Sequence, residues 1–147
     1  MGFQEALANN FFSNLRIEVQ WGDMDAASHV NNVTYLRWFE SARIKYFMDL
    51  GINLISPENE VDFILGWQEC KYIFPVTFPD TVHIGISITE IREDRVLMEA
   101  HMFSQKYERL IAIARGHMVT YDYKQLKKVN LPDYLAEEIR QKEKLSS

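Results

Sequence analysis

The segment VTYLRWFESARIKYFMDLG, residues 33–51, constrains this chain more than any other. Val33, Leu36, Phe39, Arg43, Tyr46, Phe47 and Leu50 recur at intervals of three and four, the spacing that gathers side chains on one face of an α-helix. Tyr35, Ala42 and Ile44 widen that face until apolar groups take up most of the circumference. A helix of this kind does not sit well on a surface, so it is expected in the core, wrapped by other elements. At 1.5 Å per residue it extends roughly 27 Å. Gly51 supplies the stop, because glycine takes the left-handed backbone at a helix end without steric cost.

Strands supply the wrapping. Leu15, Ile17 and Val19 alternate with Arg16 and Glu18, which predicts a strand ahead of the helix. After the helix, VDFILGWQECKYIFPV (61–76) reads as a long strand ending at Pro75. TVHIGISITEI (81–91) places Val82, Ile84, Ile86 and Ile88 in strict alternation. The turns REDR (92–95) and KYER (106–109) lead into strands VLMEAHMFSQ (96–105) and LIAIARGHMVTYDY (110–123). Short turns between successive strands imply antiparallel neighbours. PDYLAEEIRQKEKL (132–145) closes the chain as a helix, with Pro132 near its first position and glutamates ahead of Arg140, Lys142 and Lys144. The expected fold is α+β, a five-stranded antiparallel sheet wrapped around a long central helix, plus a C-terminal helix. At 147 residues it is expected to form one domain, residues 1–147.

The last two long strands carry apolar residues on both faces: Leu97, Phe103, Ile111, Ile113 and Val119 against Val96, Met98, Met102, Leu110 and Met118. One helix cannot cover both faces. A second subunit is the economical cover, which predicts a homodimer or homotetramer.

Composition excludes several classes. The formal net charge of −5 disfavours a broad nucleic-acid surface. Cys70 is the one cysteine, so there is no internal disulfide and no cysteine-rich metal site. His83, His101 and His117 lack ligand-like spacing, and neither a metal nor a cofactor is expected. The N-terminal MGFQEALANNFFSNLR lacks the basic start and unbroken apolar core of a signal peptide, and no run approaches a membrane span. The expected location is cytoplasmic.

Immediately before the helix stands WGDMDAASHVNN, residues 21–32. A helix start needs one good cap, and Asn31 or Asn32 can provide it. The rest of the polar cluster is surplus. The first backbone N–H groups of a helix are unpaired and carry partial positive charge, which suits them to hold the oxyanion formed when a carbonyl is attacked. Asp25, in a loop able to fold back to that spot, can act as nucleophile or as the base that activates water. His29 can transfer a proton or orient the water. Together these groups suit acyl transfer, including hydrolysis of an ester or thioester. Asp23 is expected to hold the loop through backbone amides.

The stretch RIEVQWGDMDAASHVNNVTYLRWFESARIKYF resembles the acyl-CoA thioesterases of the 4-hydroxybenzoyl-CoA thioesterase type, which have the hotdog fold. The shared pattern is an aromatic, a residue, then D-x-D, a short loop, H-V-N-N, and a downstream acidic residue with A-R on the helix. YIFPVTFPDTVHIGISITEI is similar to the family's second signature, a Y-x-x-P turn leading into an alternating strand. The resemblance spans about residues 15–132. It implies that Asp25 is the catalytic carboxylate, that the polarising amide lies at or next to Asn32, that His29 assists, and that Asn31 and Tyr35 contact an acyl-CoA substrate. H-V-N-N is also similar to plant-type acyl-carrier-protein thioesterases, but this chain has Ala27 where those relatives carry asparagine, and Ser28 where many family members have glycine. An acyl-carrier-protein thioesterase and a non-catalytic acyl-CoA-binding module are the alternative readings. Glu40 is the rival carboxylate, since a related subfamily places a catalytic glutamate on the central helix. Phe39, Phe63, Trp67 and Phe103 are candidate walls of an acyl pocket.

Overall fold

The long helix, α2, runs from Asn32 to Asp49 and buries Tyr35, Trp38, Phe39, Ala42, Arg43, Tyr46 and Phe47. This is a computed structural model, and it describes residues 2–52 and 61–145. Each of the fully enclosed rings of Phe39, Tyr46 and Phe47 contributes about 1.5–3 kcal/mol of burial. The helix ends in a Schellman motif. Gly51, at φ +87°, donates to the Met48 carbonyl, and Ile52 donates to that of Phe47, each at 2.9 Å. One expectation is corrected here. The helix is not enclosed all round, because Val33, Ile44 and Met48 are 66%, 44% and 61% exposed.

Around α2 curls an antiparallel sheet of β1 (Ser13–Glu18), β2 (Asp62–Tyr72), β3 (Thr81–Arg92), β4 (Arg95–Ser104) and β5 (Arg109–Asp122). This is the hotdog arrangement that the resemblance implies. The order is β1-β3-β4-β5-β2, so β2 does not pair with its successor but crosses to the far edge and pairs with β5. The hairpins β3–β4 and β4–β5 are neighbours, as their short turns require. A two-residue strand, β6 (Lys127–Lys128), adds to β5 beyond the five expected strands. The C-terminal helix α3 (Asp133–Glu143) buries Leu135, Ala136 and Ile139. Glu143 fastens it, accepting from the Tyr46 hydroxyl and the Ile88 backbone N–H, both at 2.6 Å.

A short N-terminal helix, α1 (Phe3–Asn10), was not visible in the apolar pattern. Leu7 is buried, and the Phe11 ring that follows covers Gly85 on the outer side of β3. So part of the second sheet face is covered from within the chain.

The assignment of faces in β5 also needs correction. Met102 pairs with Ala112 but Phe103 pairs with Leu110, which leaves Ile111 as an extra residue in β5. The bulge puts Leu110 on the same face as Phe103, not opposite it. The outer face is mixed rather than apolar, since Arg115 pairs there with Glu99 and Glu69, and His101 with Glu99.

A Cβ added at Gly85 would lie 2.3 Å from the Phe11 ring. The substitution Gly85→Ala is therefore expected to displace that ring and destabilise the protein by about 1–3 kcal/mol in urea unfolding.

Candidate functional site

The loop between β1 and α2 is built by local hydrogen bonds. A short 3-10 turn, Trp21–Asp23, is closed by a capping box in which the Asp23 carboxylate accepts from the Gln20 N–H at 2.8 Å. The Asp23 carbonyl accepts from the Asn31 N–H at 2.9 Å. Asp23 thus holds the two ends of the loop together, as its position in the sequence suggests.

Asp25 starts the inner turn. Its carbonyl accepts from Ser28 and its N–H donates to the His29 carbonyl, both at 3.0 Å. Its Oδ1 accepts from the Ala27 N–H at 2.9 Å, leaving Oδ2 without a donor among the described residues. Ser28 has φ +62°, a left-handed conformation that explains why glycine suits this position. Val30, buried beneath the loop, donates to the Val76 carbonyl at 2.8 Å and ties the loop to the segment after β2.

Of the two asparagines, Asn31 is the cap. Its side-chain oxygen accepts from the Val33 N–H at 2.9 Å, and its carbonyl accepts from Thr34. Asn32 is the first helical residue, and its N–H has no acceptor among the described residues. The Tyr72 hydroxyl donates to the Asn32 carbonyl at 3.0 Å, pinning the helix start to the edge strand.

Asp25, His29, Asn32 and Tyr35 line one cleft of about 340 Å³, with Ala27 and Val30 beside them. Tyr72, Ile73, Phe74 and Pro75 form the other wall. The β5 bulge places that wall, because the Ile111 carbonyl accepts from both Ile73 and Phe74, which ends β2 and turns the chain along the cleft. Tyr35 packs against Trp38 and edge-on against Tyr72, with ring centroids 5.1 Å apart in each pair. Burial pushes the Tyr35 hydroxyl up to about 12, so it stays protonated at neutral pH.

The remaining sequence candidates are placed elsewhere. Asn31 directs its side chain to the cap instead of lining the cleft. Phe39 is fully buried. Trp67 and Phe103 are on the outer face of the sheet, and Glu40 and Phe63 line a different cavity. The wall from Tyr72 to Pro75 was not singled out residue by residue, although the YIFP pattern marked the place.

Residues 19–139 match the family described as the thioesterase-like superfamily. An uncharacterized protein, YsmA, of Bacillus subtilis is 34% identical over 91 residues, which is 62% of this chain and 60% of that protein. A thioesterase from Thermus thermophilus, solved with coenzyme A and zinc, is 27% identical with a TM-score of 0.79. That alignment covers 94% of this chain and 98% of the other. A gentisyl-coenzyme A thioesterase is likewise 27% identical, with a TM-score of 0.74 over 84% of this chain and 98% of its own.

Two substitutions separate the roles within the loop. Asn31→Ala is expected to cost about 1 kcal/mol through loss of the cap. Ser28→Gly is expected to stabilise by a similar amount by relieving the left-handed backbone. Thermal unfolding of the two variants beside the parent reads both changes.

Proposed function

The chain belongs to the thioesterase-like superfamily, and from that membership and the chemistry of the cleft we propose that it hydrolyses an acyl-CoA thioester to a free carboxylic acid and CoA. The observation that carries the reading is the pairing of the acceptor-free Asn32 N–H with the Asp25 carboxylate on one cleft. The thioester carbonyl oxygen accepts from the Asn32 N–H at the positive end of α2, which polarises the carbon and holds the oxyanion. Asp25 then supplies the electron pair in one of two ways. It attacks the carbon, expels the CoA thiolate and leaves an anhydride that water opens. Alternatively it takes a proton from water, which attacks directly. His29 orients the water or returns the proton to the thiolate. Either route consumes one water per thioester.

Three further points support this reading. The sequence pattern around Asp25 resembles that of the 4-hydroxybenzoyl-CoA thioesterase type, the Thermus relative was solved with coenzyme A, and the aromatic side chains of Tyr35, Tyr72 and Phe74 line the cleft. Asp25, His29 and Asn32 are exposed in the single chain, and the nearby Trp21, Val33 and Phe78 are exposed apolar groups. Exclusion of water strengthens such a site. We therefore assign a second copy of the chain to cover the mouth of the cleft, in a homodimer or homotetramer. Sedimentation is expected to give two or four copies, and a strictly monomeric active enzyme would remove this part of the proposal.

The main test is thiol release from short, medium, long and aromatic acyl-CoAs by the parent and by Asp25→Asn. The parent is expected to turn over at least one ester, and the variant to lose about 10²- to 10⁴-fold in kcat while still binding substrate. Equal rates would shift the chemistry to His29 or Glu40. Binding without release from any CoA ester, together with release from acyl-carrier protein, would change the carrier. Binding without release from either would make the protein an acyl-CoA-binding module.

A further inference from the structure

One wall of the cleft continues into a pair of cations. Phe74 lines the cleft with Asp25 and Asn32, and its backbone N–H donates to the Ile111 carbonyl of β5 at 3.1 Å. Two residues before Ile111, at the start of the same strand, the guanidinium carbon of Arg109 lies 4.2 Å from the centroid of the Phe74 ring. Tyr107, in the turn between β4 and β5, packs edge-on against Phe74 with centroids 5.1 Å apart. The Lys106 ammonium lies 5.4 Å from the centroid of Tyr107. The Phe74 ring thus belongs both to the cleft and to this cluster. Topology brings them to one end of the fold, because β5 begins where β2 ends: Tyr72 pairs with Ala112, and its hydroxyl reaches the first residue of α2.

Arg109 and Lys106 are exposed, and neither side chain enters an ion pair or hydrogen bond among the described residues. Their aromatic neighbours orient them and leave their N–H donors free. Two acids stand close in the chain. The Asp80 carboxylate is taken up by the Ser104 hydroxyl and the backbone N–H groups of Thr81 and Lys106. Glu108 is exposed and makes no ion pair. A lone surface cation is usually no more than solvated. Two held against aromatic rings beside a substrate cleft, in a chain of net charge −5, suit a ligand with adjacent negative charges.

We propose that Arg109 and Lys106 bind the diphosphate of the CoA moiety. The thioester lies at Asp25 and Asn32, and the pantetheine arm passes Phe74 to reach the turn between β4 and β5. The guanidinium meets phosphate oxygens side by side, and the ammonium acts as a point charge on the neighbouring phosphate. The phosphodiester of an acyl-carrier protein brings one charge where this pair meets two, so the cluster favours CoA as the carrier. The inference rests on the thioesterase reading for the position of the acyl end.

The test compares the parent with the double variant Arg109→Gln/Lys106→Gln. The substrates are the best acyl-CoA of the panel and the matching acyl-pantetheine, which has the same thioester and no phosphate. The variant is expected to raise KM for the acyl-CoA about tenfold with kcat within about twofold, and to leave kcat/KM for acyl-pantetheine within about twofold. Added salt is expected to raise KM of the parent for the acyl-CoA more than that of the variant. Arg109→Lys keeps the charge without the fork, and its KM is expected to fall between the two. Desulfo-CoA, which has no thioester, is expected to bind the variant about tenfold more weakly in calorimetric titration. An unchanged KM for acyl-CoA in the double variant would overturn the proposal. So would an equal loss on acyl-pantetheine, which marks damage to the Phe74 wall rather than loss of a phosphate contact. If the parent turns over no thioester, desulfo-CoA decides alone. Binding that needs the two cations then upholds the site while the hydrolytic reading fails, and binding that is absent or indifferent to them sinks the site.

Discussion

The packing of α2 into the curl of the sheet is the constraint on which the other features depend. Phe39, Ala42, Tyr46 and Phe47 share one buried core with Val82, Ile84, Ile86 and Ile88 of β3 and Val96, Met98, Ala100 and Met102 of β4, which lie on one side of the sheet. A helix held that firmly has fixed ends. Its C-terminus is closed by the Schellman bonds at Gly51 and Ile52. Its N-terminus is delivered to one place, beside the end of β2, where Tyr72 pins the Asn32 carbonyl. The cleft is therefore a consequence of packing rather than a separate construction.

The loop before the helix shows the same economy in hydrogen bonds. Asp23 and Asn31 satisfy backbone groups, and the turn from Asp25 to His29 satisfies its own. These bonds pair backbone donors and acceptors within the loop itself and so define its path. The groups that find no partner among the described residues include one carboxylate oxygen on Asp25, the His29 ring and the Asn32 N–H. These are the groups that the acyl-transfer reading uses.

Much of this was legible in the sequence because it is periodic. The two-residue repeat of β3 and the three-and-four repeat of α2 both report burial directly, and both elements lie within a residue or two of their expected limits. The pattern around Asp25 likewise marked the residues that share the cleft, because short polar side chains close to a helix start act within their own loop. Nothing periodic announced α1, a two-turn helix with few groups to bury. The bulge at Ile111 was hidden for a different reason. An extra residue alters the alternation of faces without altering composition, so Leu110 was assigned to the wrong side and the cleft wall at Ile73 and Phe74 was not anticipated. The crossing of β2 to the far edge depends on long-range pairing that no local pattern encodes.

The electrostatics of α2 give a physical reason for the position of the cleft. Helices commonly place Asp or Glu in their first turn, where the carboxylate offsets the partial positive charge of the unpaired N–H groups. In α2 the first turn contains no acidic residue, and a neutral asparagine provides the cap. The positive end is left without a carboxylate of its own, and the aspartate that shares its cleft belongs to the preceding loop. An acid in the first turn would compete with any oxyanion for the same N–H groups and oppose its charge. On the proposed reading, placing the carboxylate in the loop separates two roles, with the helix end open to negative charge and Asp25 open to act on the atom beside it. Under the thioesterase reading, that separation lets one short stretch of chain both polarise a carbonyl and attack it.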